Sequence, residues 1–402
     1  MTKPLLGGDK RFDDKKFDPL IGLIPRATCR PETCEGISIT RSFMTMLLFC
    51  LALLLLVALY LQRVLKAKKP QSRDVSNQLK PIGIDFDWNN CEPYYLRPFV
   101  GKKNFNPSMA VHNISKQREQ LFLIEKSYLD ATTLRKEHLK SFEQKILHCN
   151  QSERAREAVR EFYSMTVEFL TQRYPQYFKI SADEKTVKNL INSNVMPLSG
   201  EGEDAMHLLR VLTANVEEDI LIMLKDNPGE ENEEYILRAS LTGSPAGFDP
   251  SHNFDKPISF IHEPVPQYQS RLISPMHRFF NKLEPKDLWQ RGNWSIQTSN
   301  VSFKLEDHHG RSGDEIGELS RDQLDFENAC FMRCERQLLT RLPKSRAVIM
   351  LVRTYLTPVK QIKEEGLGPE MARAIESLPA DLAFYKRRKL WGKAVSEYLK
   401  SS

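Results

Sequence analysis

From Ser42 to Gln62 the chain runs 21 residues without a charge, and the stretch Phe43 to Leu61 is almost wholly apolar. No other feature narrows the fold as much. About 20 apolar residues at 1.5 Å rise per residue match the roughly 30 Å hydrocarbon core of a bilayer. A cleaved signal peptide fits poorly, because a polar stretch of 41 residues precedes the run and no small-residue cleavage site follows it. The expected organisation is a tail over 1–41, a single transmembrane helix over 42–62, a basic, Lys/Pro-punctuated tether over 63–90 and one folded domain over 91–402. Arg26, Arg30 and Arg41 lie before the span, against Arg63, Lys66, Lys68, Lys69, Arg73 and Lys80 after it. That bias places the C-terminal domain in the cytosol, with the endoplasmic reticulum as the expected membrane. Sequons at Asn113, Asn150, Asn293 and Asn300 point the other way if glycosylated, although Asn293 sits in a dense aromatic and basic stretch.

The net charge of +6 is entirely N-terminal: residues 1–69 hold 12 Lys/Arg and 6 Asp/Glu, which leaves 46 of each beyond them. A neutral domain lacks the phosphate-neutralising surface that nucleic-acid binding needs. With 41% hydrophobic residues the chain can bury a core, and disorder is excluded. Seven cysteines at 29, 34, 50, 91, 149, 330 and 334 fit no zinc spacing. Cys330 and Cys334, four apart on an expected helix, read as core residues.

Periodicity predicts helices over about 116–128, 132–148, 152–173 and 203–225, the third capped by Ser152 and the fourth striped by Met206, Leu209, Leu212, Val216, Ile220 and Met223. Strands are expected at Tyr235–Leu241, Ile258–Ile261, Trp294–Thr298 and Val348–Tyr355. A helix over 320–341 and basic amphipathic helices at the C-terminus complete the reading. Asn227–Glu234 forms an acidic loop. Helices first, then mixed strands and helices, predict an α+β fold.

Several catalytic signatures are absent. The sequence has no P-loop, no complete Gly-x-Gly-x-x-Gly turn, no Gly-x-Ser-x-Gly elbow and no His-Glu-x-x-His. The nine histidines show no metal-ligand spacing, and His308-His309 reads as solvated in an Asp/Gly-rich loop. Two concentrations of unusual residues remain. The first runs through Pro257-Ile-Ser-Phe-Ile-His-Glu-Pro-Val-Pro-Gln-Tyr268 and Arg278-Phe-Phe280 to Arg291-Gly-Asn-Trp294. There His262 precedes a Pro-Val-Pro that stiffens the backbone. The residues alone leave two readings open, a core histidine bonded to backbone or a pre-aimed ligand. The second puts Arg333, Glu335, Arg336 and Arg341 beside the apolar run Ala347–Tyr355, either as structural ion pairs or as the edge of an anionic cofactor.

These stretches resemble the α-subunit-like group of the haem-dependent oxidative N-demethylase family. Ile261–Tyr268, Arg278–Phe280, Arg291–Trp294, Glu335–Gln337, Arg341–Pro343 and Arg353–Tyr355 carry the resemblance, with Leu96–Phe99 and Glu125–Arg135 upstream, so that it covers about 93–395. It implies a PAS-like antiparallel sheet holding haem b, and oxidative removal of a methyl group from a small amine by O2, with electrons from a separate reductase. The methyl carbon would leave as formaldehyde through a carbinolamine. On that basis His262 is the candidate iron ligand, Arg291, Arg336 and Arg341 the candidate propionate partners, and Tyr268 and Trp294 the pocket walls. Glu335 is the candidate catalytic residue, pairing with a cationic amine unless an ion pair with Arg291 or Arg336 occupies it. The chain has Phe248 before Asp249-Pro250 where the family favours Trp, and Leu338 and Thr340 where it favours Thr and Arg. A haem-binding PAS-like sensor or carrier without turnover is the alternative, since a fold does not fix an activity.

Overall fold

The computed structural model describes residues 46, 48, 51–57, 79–101, 109–230 and 232–401. Most of the apolar run 42–62 therefore lies outside the described residues, as do the tail 1–41 and residues 63–78. Residues 46, 48 and 51–57 are helical and exposed. No helix among the described residues is long and apolar enough to cross a membrane, so the expected single span is not found among them. These residues belong to one compact unit, and Gln78–Ser402 form the other. The second begins earlier than residue 91, because Leu79, Ile82, Phe86 and Trp88 pack against its core.

In this second unit the first long helix is α1 (Tyr128–Ile146). The next, α2 (Glu153–Arg173), starts where Ser152 accepts a hydrogen bond from the Ala155 N–H at 3.4 Å, as an N-cap should. Helix α3 (Ala205–Thr213) is capped the same way by Asp204, which accepts from the His207 N–H at 2.8 Å. Short helices α4 (Pro250–Asn253) and α5 (Ile258–Ile261) lead to α6 (Ile273–Lys282). The chain closes with α7 (Val359–Glu364), α8 (Gly368–Glu376), α9 (Ala380–Tyr385) and α10 (Arg388–Lys400).

Among the described residues ten strands make two antiparallel sheets. They are β1 (His112–Asn113), β2 (Leu147–Cys149), β3 (Phe178–Ile180), β4 (Thr186–Asn189), β5 (Val195–Pro197), β6 (Asp219–Leu224), β7 (Ile236–Leu241), β8 (Trp289–Gln297), β9 (Phe331–Arg341) and β10 (Val348–Pro358). The large sheet runs β1-β8-β9-β10-β6-β7-β2, and β3-β4-β5 form the small one. The register pairs Leu339 with Met350, Gln337 with Val352 and Glu335 with Thr354 across β9 and β10. Across β8 and β9 it pairs Arg291 with Gln337, Asn293 with Glu335 and Trp294 with Cys334.

Side chains alternate between the faces of a strand, so this register sorts the whole sheet. One face carries Ile220, Ile222, Leu338, Ile349 and Leu351, which pack on Ala158, Phe162, Leu208 and Leu209 of α2 and α3. Its other end carries Trp294, Met332 and Cys334 against Val359, Met371, Trp391 and Val395. The opposite face begins apolar, with Leu339, Val348 and Met223 covered by Ile258, Tyr268, Met276 and Phe280. It then turns polar through Arg291, Asn293, Gln337, Glu335 and Thr354. The entry segment Leu96–Phe99 crosses β8 at Gly292, where a Cβ would come within 2.8 Å of Pro98 Cγ.

The α+β expectation holds, but several elements differ. Residues 320–341 form a strand from Phe331 onward, preceded by one 3-10 turn at Arg321–Gln323, and no long helix. The buried arginines of β9 mimic a charged helical surface. Cys330 and Cys334 are buried on and beside this strand. Residues 203–225 split into α3 and β6, because the Asn215 side-chain amide donates to the Val211 carbonyl at 2.8 Å and closes the helix. Ile258–Ile261 is a turn of helix after Pro257, which forms only an isolated bridge to Ile236. Residues 116–127 hold just the 3-10 turn Arg118–Gln120, and the expected helix over 116–128 reaches α1 only at Tyr128.

Candidate functional site

Pro257 ends the contact with β7, one turn of α5 follows, and His262 caps it. The His262 N–H and its ring Nδ1 both lie 3.0 Å from the Ile258 carbonyl. A carbonyl only accepts, so Nδ1 carries the proton and Nε2 keeps its lone pair. Burial lowers the His262 pKa, the bond to Ile258 opposes this, and Arg291 nearby adds to the lowering. The ring is therefore a neutral imidazole at pH 7. Tyr268 stacks on it at 5.1 Å between centroids and 19° between planes. Burial and Glu234 push the Tyr268 pKa up to about 12. Its buried hydroxyl has no hydrogen-bond partner among the described residues.

On the polar sheet face Arg291 is the unusual residue. It makes no hydrogen bond or ion pair among the described residues, and its Nε is buried without a partner. Burial lowers its pKa, and Glu335 acts against that. Arg291 is half-buried, and its unpaired guanidinium nitrogens leave it free to meet an anionic group brought to this face. Glu335 stands one register step from Arg291. Its Oε2 accepts from Gln337 Nε2 at 2.8 Å and from Asn293 Nδ2 at 3.3 Å. Its Oε1 has no protein donor among the described residues. Lys386 comes from α9's end, with Nζ donating to the Trp294 carbonyl at 2.5 Å. Burial pushes the Lys386 pKa down to about 8, and Glu335 opposes the shift.

The face thus brings together His262, Tyr268, Arg291 and Glu335. It does not bring in Trp294, Arg336 or Arg341. Trp294 and Arg336 point to the other side of the sheet, because each is an odd number of residues from Arg291 or Glu335 along its own strand. Trp294 packs edge-on against Phe99. Arg336 donates to Gln290 Oε1 at 2.8 Å and to the Gln120 carbonyl at 2.7 Å, beneath the Tyr94 ring. It therefore forms no ion pair with Glu335. Arg341 shares the site's face but bonds the Tyr235 hydroxyl and the Phe280 carbonyl, pinning α6.

His308 is buried and His309 half-buried, rather than solvated. His308 Nε2 lies 2.7 Å from Ser295 Oγ, and His309 stacks on Tyr385 at 4.4 Å. Gln337, Asn293 and Lys386 were not singled out from the sequence. Strand alternation from Glu335 would have found Gln337, and from Arg291 would have found Asn293, given that β9 and β8 are strands.

The fold and this face define an α+β protein whose large antiparallel sheet presents a neutral imidazole and a half-buried, unpaired arginine together. Residues 113–396 match the family described as haem-dependent oxidative N-demethylase, alpha subunit-like. The match covers well over half of the chain, and the chain belongs to this family.

Proposed function

We propose that this chain is a haem-dependent oxidoreductase that binds haem b through His262 and oxidatively removes a methyl group from a small amine. The observation that carries the reading is His262 itself: Nδ1–H tied to a backbone carbonyl and an unprotonated Nε2, beside a half-buried Arg291 that has no partner among the described residues. A carbonyl-anchored imidazole is the usual second-shell arrangement of a metal-binding histidine. Among the described residues no three His, Cys, Asp or Glu side chains gather to hold a bare metal ion. One imidazole suffices for iron already held in a porphyrin.

Bound haem would supply the oxidation, using O2 and electrons from a separate reductase. The chain supplies position and charge. His262 Nε2 would take the iron, Tyr268 would keep the imidazole in its plane, and Arg291 would neutralise a propionate. Glu335 Oε1 would accept an N–H of a protonated amine, holding its methyl group at a fixed place. Arg336, Arg341 and Trp294 have no part in this set, being engaged elsewhere. The apolar run 42–62 would anchor the domain to the endoplasmic reticulum membrane, on the cytosolic side.

The test is the visible spectrum of the full chain, purified with haem supply, beside its His262→Ala variant. A stoichiometric Soret band that shifts or disappears in the variant is expected. A band unchanged by the substitution would overturn the ligand assignment, and a folded but colourless wild-type protein would overturn the haem reading.

A further inference from the structure

The small sheet holds a pairing that strands avoid. Its register sets Lys179 of β3 directly opposite Lys188 of β4, and Lys188 opposite Val195 of β5. Opposed residues share a face. This one is the outer face, because the alternate positions Phe178, Val187, Asn189 and Met196 are buried. Like charges directly opposite one another destabilise a sheet. Both lysines are exposed, and neither side chain has an ion pair or hydrogen bond among the described residues.

Apolar side chains stand exposed in the same place. Val195 is 59% exposed, and Leu190, on the same face just beyond β4, is 47% exposed. Ile84 is 89% exposed in a segment that runs along the end of α2. There the Ile82 N–H donates to the Arg173 carbonyl at 2.8 Å, and the Gln176 amide to the Gly83 carbonyl at 3.4 Å. The Leu190 N–H donates to the Tyr177 carbonyl at 2.8 Å, which keeps Leu190 beside that segment. Lys80 and Lys185 are exposed around the group. The nearby acids are Asp85 and, in the β3–β4 turn, Asp183 and Glu184. Asp183 is held by the Ser181 hydroxyl and the Lys185 N–H. Leu79 begins the described part of this unit, so the chain coming from the apolar run 42–62 enters the fold at this corner.

We infer that the outer face of β3-β4-β5 is a docking surface for an anionic lipid bilayer. Lys179 and Lys188 meet the phosphates, and Val195, Leu190 and Ile84 sit among the headgroups. This rests on the reading that the run 42–62 brings the chain to a membrane, and adds a second contact to it. Lipid phosphates remove the repulsion between the two lysines, and each basic side chain near such a surface strengthens binding. Exposed apolar side chains among lysines suit the boundary between headgroups and acyl chains. An acidic protein surface would satisfy the lysines and leave the three apolar side chains without a role.

The experiment reconstitutes the full chain with vesicles of brominated phosphatidylcholine, with and without one quarter phosphatidylserine. Val195→Trp places an indole on the face, and its emission above that of the unsubstituted chain is read. Bromine is expected to quench this added emission when phosphatidylserine is present, and to leave it largely intact without it. Salt at 1 M, where the Debye length is about 3 Å, should restore the emission. Lys179→Gln with Lys188→Gln should abolish the quenching and leave stability unchanged or higher, since the pair repels itself. Leu190→Trp reads the same face if Val195→Trp fails to fold. Equal quenching in the two vesicles, quenching that survives the loss of both lysines, or no quenching in either would overturn the inference. Flotation of the unsubstituted chain with pure phosphatidylcholine tests the run 42–62 separately. A chain that floats without quenching keeps the anchor and loses the docking face, and one that floats with neither lipid mixture loses both.

Discussion

His308 shows what burial does to a residue that is ordinary at the surface. Burial first, then His309 and the cations Arg333, Lys304 and Lys386, push its pKa down to about 2. Its neighbour His309 is pushed down to about 3, by burial and then by Lys386 and Arg333. Both are neutral in the folded protein at any physiological pH. A histidine in the unfolded chain gains its proton near pH 6.5, so acidification below that value favours unfolding. The stability that His308 contributes is fully present above about pH 6.5 and falls as pH drops toward the folded value, by about 1.4 kcal/mol per unit. His308→Gln is expected to flatten the loss between pH 6.5 and pH 5 by about 2 kcal/mol. Urea unfolding across that range checks it, and an unaltered acid limb would count against the assignment. The pair is pinned from outside the loop, because a Cβ at Gly247, whose φ is +75°, would lie 2.4 Å from His308 Cβ. Nothing in the local sequence reveals that Ser295 and Tyr385 cover this loop. Its Asp and Gly residues read as solvated, and the contacts that bury it are long-range.

At the scale of the element, strand β8 separates two roles through alternation alone. Arg291 and Trp294 are three residues apart and face opposite sides of the sheet. Trp294→Ala should cost about 3–5 kcal/mol of stability through lost packing and leave any haem spectrum in place. Arg291→Met should leave stability near wild type or raise it, and weaken haem retention. Denaturant titration and haem transfer to a competing apoprotein measure the two effects. A spectrum altered by the Trp294 variant and untouched by the Arg291 variant would reverse the assignment of faces. The same alternation explains which elements the sequence disclosed. Ser152 and the 152–173 stripe signal a helix through contacts within a few residues, and Val348–Tyr355 is apolar enough to read as a strand. Phe331–Arg341 hid its character because Arg333, Arg336 and Arg341 are buried and bonded to distant carbonyls and side chains, a satisfaction visible only after folding. The Leu209 to Met223 stripe ran through a turn that a single Asn215 side chain closes. His262 and Glu335 were legible as candidates from their motifs. Gln337 and the unpartnered state of Arg291 depend on the register of β8 against β9.

Across the whole domain, Arg353 ties together segments far apart in sequence. From β10 its guanidinium reaches Glu125 at 2.6 Å, Glu217 at 2.5 Å and Glu218 at 3.4 Å, and it bonds the Leu123 carbonyl at 2.6 Å. The entry segment, the approach to β6 and the central strand thus meet at one cation. Burial raises the Glu217 pKa to about 7, with Arg353 pulling it back down. Arg353→Met would leave three buried carboxylates facing one another and is expected to cost at least about 3–5 kcal/mol. The raised Glu217 pKa means the fold favours its protonated form, so the defect should be milder at pH 5 than at pH 8. Thermal unfolding at both pH values tests this, and an equal loss at both would argue against carboxylate repulsion as the cause. The strand order β1-β8-β9-β10-β6-β7-β2 carries a consequence for synthesis. The centre of the sheet, Phe331–Pro358, is translated after the β6–β7 hairpin and after α2 and α3, which cover part of one of its faces. A nascent chain on the ribosome therefore carries β6 with an unpaired edge until residues 348–352 emerge, and the sheet before them waits on that one strand to close.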